Sequence, residues 1–456
     1  MYTIDKSILE EGVTAQLLQK FIRRHMREIP RINKLERYYR GEHDILKRQK
    51  KSDGAPNNKV VCNHAKEITD TATGYFVGNP ITYGGDNADT LCEWFKAGDI
   101  ESVDMEIATD MSKFGRAYEL VYMSDDDIAI PKSCVVGTQN AFVVYSDDVT
   151  HIPLFGVYYY PIFDADESLV SFRVYLYTPQ RCTVYTCDAS FGNFSVDADY
   201  DNVFGDVPII EYSNNKEQQG DFEQVIGLID AYNVLMSDRV NDKEQFVDAI
   251  LLLVNGTLGD TPEEEEETKR TLRENKILSL PAESDARYLV RTFDESGVEI
   301  LKKALEQDIH KFANVPCLSD ENFAGNSSGV AMEYKMLGIE MIVKIKERFF
   351  RKGAKQRIAL YDAVNIIKGG VTFGEVELTF TRGLPKNLND IAQIVTQLQD
   401  IVPLESLLPL LPFIKDVDAA IEALKKQKAE NMQAQADVFG AVENSDIGDD
   451  NADDTE

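Results

Sequence analysis

The segment Gly325-Asn326-Ser327-Ser328-Gly329 fits G-x-S-x-G, the spacing that sets a serine nucleophile on a sharp strand-to-helix turn. Such a hydrolase needs a strand before the serine and its acid and histidine after it. All five histidines (His25, His43, His64, His151 and His310) precede Ser327, and the preceding SDENFA does not read as a strand. The segment is therefore read as a polar loop in which Ser328 caps the next helix. A serine hydrolase built on Ser327 is the weaker alternative. Asp197-Ala198-Asp199-Tyr200-Asp201 opens like a calcium loop, but Asn202 and Pro208 stand where glycine and a bidentate glutamate are required. It is predicted to be an acidic turn. Asp125-Asp126-Asp127 is predicted to be a solvated turn, because adjacent side chains do not converge on one ion. Cys182 and Cys187, and Cys62-Asn63-His64, lack the further ligands of a tetrahedral zinc site. No phosphate-cradling glycine loop occurs. The acidic run Glu263 to Glu267 is best explained as a solvated helix N-terminus favoured by the helix dipole. These residues predict a protein that is not an enzyme and carries no cofactor or metal.

Composition narrows the class further. The chain has 456 residues, with 78 acidic against 48 basic side chains and a formal charge of −30. That balance argues against gripping a polyanion over the whole surface, though not against DNA passed through a channel. The charge is uneven: residues 20–59 hold 13 basic and 5 acidic side chains, a local +8 against −38 elsewhere. The basic stretch is read first as a solvated helix face, then as a contact with another subunit or a phosphate. The last 20 residues hold 8 acidic and no basic side chains, and are predicted to be disordered. No apolar run reaches membrane-spanning length, and the N-terminus lacks the pattern of a secretory signal. Six scattered cysteines predict reduced thiols and a cytoplasmic setting.

The elements that must position these residues follow from periodicity. Residues 1–50 are predicted helical with a break at Pro30, and 63–76 as a further helix. Between residues 116 and 212, Phe172, Val174 and Leu176 alternate with polar or half-polar neighbours, and the connections are short. This predicts an antiparallel β-meander. A long helix is predicted over 222–254. After it, Thr261-Pro262-Glu263-Glu264 is a strong helix start, with Glu265–Lys269 and Glu266–Arg270 as i,i+4 pairs. Two short strands near 276–280 and 287–292 complete a small α/β unit. A second helix is predicted from a capping box at Ser296 and Glu299, with Val298, Leu301, Leu305, Ile309 and Phe312 on one face. Two helices flanking an insertion can pair antiparallel, as a stalk with a head. A long helix over 329–368 follows, with Val330, Tyr334, Leu337, Met341, Ile345 and Phe349 on one face and kinks plausible at Gly338 and Gly353. A strand pair near 371–382 and helices over 389–435 end the chain.

Five strings stand out: Tyr38-Tyr39-Arg40-Gly41-Glu42-His43-Asp44-Ile45, Asn57-Asn58-Lys59, Asn63-His64-Ala65-Lys66-Glu67-Ile68, 70–81 (DTATGYFVGNPI) and 325–332 (GNSSGVAM). In this order and spacing they resemble siphophage portal proteins, the head-to-tail connectors of tailed bacteriophages. The resemblance covers nearly the whole chain except the acidic tail. It implies an α+β portal-like fold: a mixed wing with the β-meander and a long kinked helix (1–222 and 329–384), a two-helix stem (223–254 and 296–315), a small α/β clip (255–295) and a helical crown (385–436), followed by the tail 437–456. It implies a tunnel loop over 316–328, in which Asn322, Asn326, Ser327 and Ser328 are the candidates for contact with DNA. It implies docking at the clip, where Glu263, Glu264, Glu265, Glu266, Glu267, Lys269, Arg270 and Arg273 are the candidate surface. The implied partners are other copies of the chain in a ring of about twelve, double-stranded DNA, the large terminase, a head-completion adaptor, and the major capsid and scaffolding proteins. The implied location is the virion's portal vertex, with the host cytoplasm during assembly. A non-viral oligomeric scaffold or adaptor is the other class left open.

Overall fold

The computed structural model describes residues 1–10, 12–50, 56–126, 128–246, 250–255, 258–259, 261–275, 284–289, 295–318 and 329–382. Beyond these it describes 395–398, 401–403, 407–408, 420–421 and 423–427. The chain divides into two compact units, one of residues 1–325 and 334–383 and one of residues 326–333 and 384–456. In the second unit, 395–398 and 423–427 are helical and Leu407 and Leu408 are buried.

The first unit begins with a strand that periodicity did not predict, β1 (Tyr2–Ile4). Helices α1 (Ala15–Met26) and α2 (Ile29–Tyr39) follow, with the break falling just before Pro30, which sits in the first turn of α2 where a missing N–H costs nothing. Helix α3 (His64–Val77) is capped by Asn63, whose side chain accepts the Lys66 N–H at 3.1 Å. Strand β2 (Thr82–Gly84) leads to α4 (Asp89–Ala97) and α5 (Ile100–Phe114). Helix α5 buries Ile100, Ile107, Ala108, Met111 and Phe114 against α3 and the adjoining sheet.

The β-region resolves into two sheets. One is three-stranded, ordered β10-β3-β4, from β3 (Arg116–Met123), β4 (Pro131–Val136) and, later in the chain, Ile209–Ser213. The other takes β5 (Ala141–Ser146), β6 (Pro153–Phe163), β7 (Leu169–Tyr177), β8 (Arg181–Asp188) and β9 (Phe194–Asp201) as an antiparallel meander; Ile209–Ser213 is then β10. Strand β1 adds to its edge, parallel to β5. Phe21 and Ile22 of α1 close one face over Phe142, Phe155, Val157, Tyr159 and Val174. Asp197 to Asp201 is strand rather than turn. Asp197 accepts from Thr186 at 2.5 Å across the ladder, and Asp199 pairs with Thr183 and Arg181, so the acids are held in cross-strand pairs instead of folding back on an ion.

The helix predicted over 222–254 is corrected. Helix α6 (Ile226–Phe246) stops early, and Ile250–Val254 is a strand, β11. Five consecutive large apolar residues fit either period, and pairing with a partner strand decides between them. Helix α7 (Pro262–Asn275) starts where its cap signals place it, with Thr261 Oγ1 accepting the Glu264 N–H at 3.3 Å. The partner of β11 is β12 (Asp285–Leu289), antiparallel, with Leu252 opposite Arg287. The strand predicted over 276–280 lies outside the described residues. Helix α8 (Glu295–Ala313) begins at Glu295, so Ser296 is inside it and no capping box forms. Glu299 instead pairs with Arg239 of α6 at 2.8 Å.

Helix α9 (Gly329–Ile367) is one continuous helix of 39 residues. Its glycines serve close packing: a Cβ on Gly353 would stand 2.4 Å from the Tyr212 ring. The face it buries is Met336, Ile339, Val343 and Phe350, while Tyr334, Leu337, Met341 and Ile345, the stripe picked out by periodicity, are exposed. Two buried cations fix it. Lys346 pairs with Asp221, and Arg357, fully buried, bonds Asp104 and Glu119 at 2.7 Å each. Tyr83 and Tyr212 donate to the same two carboxylates at 2.6 Å. The last strand, β13 (Glu377–Thr379), pairs antiparallel with β2 rather than with a local neighbour, so the strand pair predicted within 371–382 is replaced by a long-range one.

Candidate functional site at the end of a helical hairpin

Helices α6 and α8 run antiparallel as a hairpin. Gln224 Nε2 donates to the Phe312 carbonyl at 2.6 Å, Arg239 pairs with Glu299, and Lys243 pairs with Glu295. The partner number falls as the residue number rises from Gln224, just before α6, to Lys243, which only opposed helices allow. At the end where α6 stops and α8 starts sits the head of α7 and the β11–β12 ribbon, its neck drawn together by Ser284 Oγ donating to the Asn255 carbonyl at 2.7 Å.

The middle of α6 is fastened to the segment 58–62 by a polar ladder. Asn233, Ser237 and Asn241 occur every fourth residue and so line one face of α6. Asn233 Oδ1 accepts the Cys62 N–H at 2.8 Å, Ser237 Oγ accepts the Val60 N–H at 3.0 Å, and Asn241 Oδ1 accepts the Asn58 N–H at 2.7 Å. The segment 58–62 is thus held as if against a strand, with alternate amides turned to the helix. Asn233 also meets His43 Nδ1 at 2.7 Å, while His43 Nε2 lies 2.9 Å from the Tyr38 carbonyl. Tyr38 Oη donates to Asp230 at 2.7 Å, and burial followed by that carboxylate pushes the phenol's pKa well up. Gly41 adopts φ +84°, and a Cβ there would stand 3.3 Å from Asn63 Nδ2. Of these, Tyr38, Gly41, His43, Asn58 and Asn63 fall within the strings that carried the family resemblance, and the ladder supplies a physical reason for their types.

Much of the basic stretch 20–59 is neutralised within the chain. Arg31 pairs with Glu223, Arg48 with Asp238, Arg40 with Glu36, and Arg37 and Lys47 with Asp44. Burial works to raise the Asp44 carboxyl, but hydrogen bonds from Lys47 and Arg37 outweigh it and hold its pKa at about 2. The stretch is thereby an anchor for the hairpin's base as well as a solvated face.

On the head, Glu263, Glu264, Glu266 and Glu267 are exposed in the first two turns of α7, where the unsatisfied amides favour negative charge. Glu265 pairs with Lys269 at 2.6 Å. Arg270 pairs with Glu274 at 3.1 Å, one turn on, in place of the expected Glu266; both carboxylates are four residues away and the C-terminal one captures it. Arg273 lies on the same helix. Asn322, Asn326, Ser327 and Ser328 lie outside the described residues. The six cysteines are free thiols, and Asp126 of the triple-aspartate turn pairs with Lys132 at 3.0 Å. No helix among the described residues is long and apolar enough to cross a membrane.

The chain matches the phage portal protein family, SPP1 Gp6-like, over residues 18–434, and it belongs to that family. It is 24% identical over 481 residues to the portal protein of Bacillus phage SPP1, covering 98% of this chain and 91% of that one. It is likewise 24% identical over 432 residues to the portal protein of Clostridium phage phiCD119, covering 86% of this chain and 91% of that one.

Proposed function

We propose that this chain is the subunit of a ring of about twelve copies at one capsid vertex, a non-catalytic conduit for double-stranded DNA during packaging and ejection. The hairpin that ends in a separate small head carries this reading, because it offers a stem to line a channel and a projecting surface for a partner. In this reading α6 and α8 are the stem, 255–295 the clip, 1–222 with 329–384 the wing, 316–328 the tunnel loop and 385–436 the crown. The exposed stripe of Tyr334, Leu337, Met341 and Ile345 supports assembly, since a second copy can cover it. A charge of −30 repeated around a ring repels phosphate on average and lets DNA slide. Asn322, Asn326, Ser327 and Ser328, short and uncharged, make transient contact with the moving backbone.

The carboxylates of Glu263 to Glu267, with Lys269, Arg270 and Arg273, form the docking surface for the large terminase and later for the head-completion adaptor. The ring contacts the major capsid and scaffolding proteins at its vertex. The subunit belongs to the virion and passes through the host cytoplasm during assembly. Negative-stain electron microscopy with native mass tests the architecture: rings with a central hole are expected, and a stable monomer at high concentration in the presence of scaffold refutes it. Reversing Glu263 to Glu267 to lysine is expected to abolish terminase capture while rings persist; unchanged capture removes the docking assignment. Shortening 320–328 is expected to block packaging, and Ser327→Ala is expected to have no effect.

A further inference from the structure

Two buried histidines converge on one carboxylate where the start of α3 meets the end of α8. His64 is the first residue of α3 and Glu67 lies three residues on, so both project from one face of that helix. His310 comes from the last turn of α8. His64 Nδ1 lies 3.2 Å from Glu67 Oε2, and His310 Nε2 lies 3.8 Å from the same oxygen. One ligand-capable atom from each of the three lies within 4.8 Å of the other two. The two histidines are 7% and 5% exposed, whereas the Glu67 side chain is 44% exposed.

The hydrogen-bond accounting around His310 is incomplete without a further group. Its Nδ1 lies 3.2 Å from the Val315 carbonyl and donates its proton there. The neutral ring then presents a bare lone pair at Nε2, which is buried and has no hydrogen-bond partner. That lone pair faces a carboxylate oxygen, a repulsive arrangement that a cation between them reverses. An imidazole whose second nitrogen donates to a backbone carbonyl is the usual setting of a metal-bound histidine. A tetrahedral ion with bonds near 2.05 Å holds its ligand atoms about 3.3 Å apart. The 3.2 Å distance to Glu67 Oε2 already meets that spacing, and the 3.8 Å distance has to shorten by about 0.5 Å, within a cluster whose ligand atoms all lie within 4.8 Å of one another.

We propose that His64, Glu67 and His310 bind a divalent transition-metal ion, zinc by their donor set, which fastens α3 to the returning arm of the hairpin. Two imidazoles and one carboxylate suit zinc and disfavour calcium or magnesium, which take oxygen ligands. The exposure of Glu67 leaves the remaining position to water. On binding, His64 gives up the proton it shares with Glu67 at Nδ1, and that proton leaves to solvent or is taken up at Nε2. The ion's role is to stabilise the folded arrangement. The inference is independent of the conduit reading, and either can fail alone.

The test uses the full-length chain without a histidine tag, stripped with chelator, incubated with zinc chloride alone, desalted, and assayed by elemental mass spectrometry. About one zinc per chain is expected. Glu67→Gln and His310→Gln should each retain less than about a tenth of that, and His151→Gln, on an exposed turn, should retain all of it. Zinc should raise the unfolding midpoint of the wild type and leave that of Glu67→Gln unmoved. Because Glu67 is exposed, its variant folds and decides the matter even where His310→Gln does not. A wild type that holds no zinc overturns the proposal. So does zinc retained in full by Glu67→Gln, which would place the ion on the cysteines instead.

Discussion

Replacing Asn233 by alanine isolates the contact that aims the hairpin. Asn233 is fully buried and satisfies two groups at once, the Cys62 N–H at 2.8 Å and His43 Nδ1 at 2.7 Å. Its removal loses two hydrogen bonds of about 1 kcal/mol each and strands two groups that water reaches poorly, so the expected loss is about 3 kcal/mol. Ser237→Ala strands one half-exposed amide, that of Val60, and should cost about 1 kcal/mol. Since each 1.4 kcal/mol is about tenfold, amide exchange over 58–62 should quicken by about 100-fold in the first variant and about fivefold in the second. Hydrogen-exchange mass spectrometry on a peptide covering 57–63 of the full chain reads both, whatever the assembly state. Asn233→Asp keeps the acceptor for Cys62 and should restore most of that amide's protection. Exchange at Cys62 within about threefold of the wild type in Asn233→Ala would refute the view that side chains of α6 hold this segment.

Three further outcomes follow from the packing. Arg357→Met leaves Asp104 and Glu119 buried without their counter-charge and should lower unfolding stability by about 3–5 kcal/mol; a urea titration showing a smaller loss than that of a surface arginine contradicts the assigned pairing. Gly115 sits at φ +83°, and a Cβ there would stand 2.1 Å from the Gln218 carbonyl oxygen, so Gly115→Ala should cost roughly 2 kcal/mol or more in the same assay. Burial raises the Asp110 pKa to about 6, against the opposing pull of Lys113. A carboxyl whose pKa is raised by folding stabilises the folded state below its unfolded value and loses that contribution as pH rises through about 6. Asp110→Asn should therefore gain about 1 kcal/mol on the wild type above about pH 7 and nothing near pH 4. A gain that does not change with pH counts against the assignment.

Local signals were sufficient wherever an element's own residues settle its conformation. Thr261 and Pro262 fix the start of α7, Asn63 caps α3, and the alternation of Phe172, Val174 and Leu176 marks β7, because caps and pleats act within a few residues. The antiparallel hairpin was legible for the same reason, from two amphipathic helices flanking an insertion. The head's acidic run was legible as a helix N-terminus, but the partner of Arg270 was not, since Glu266 and Glu274 stand at equal sequence distance. The ladder of Asn233, Ser237 and Asn241 left a signal that was missed: three small uncharged polar residues at four-residue spacing along one helix. Helix α5 also left one, in Ile100, Ile107, Met111 and Phe114.

By itself the sequence determined the charge of −30, the α+β class, the start of α7 and membership of the portal family. Tertiary structure decided the fate of Ile250–Val254, whose five apolar residues obey both periods until Asp285–Leu289 pairs with them. It decided which face of α9 is covered, because both faces carry apolar residues and only the neighbours select one. It also brought His310 to His64 and Glu67, more than half the chain away in sequence. No local rule relates residues so distant; their meeting depends on how α3 packs against α8.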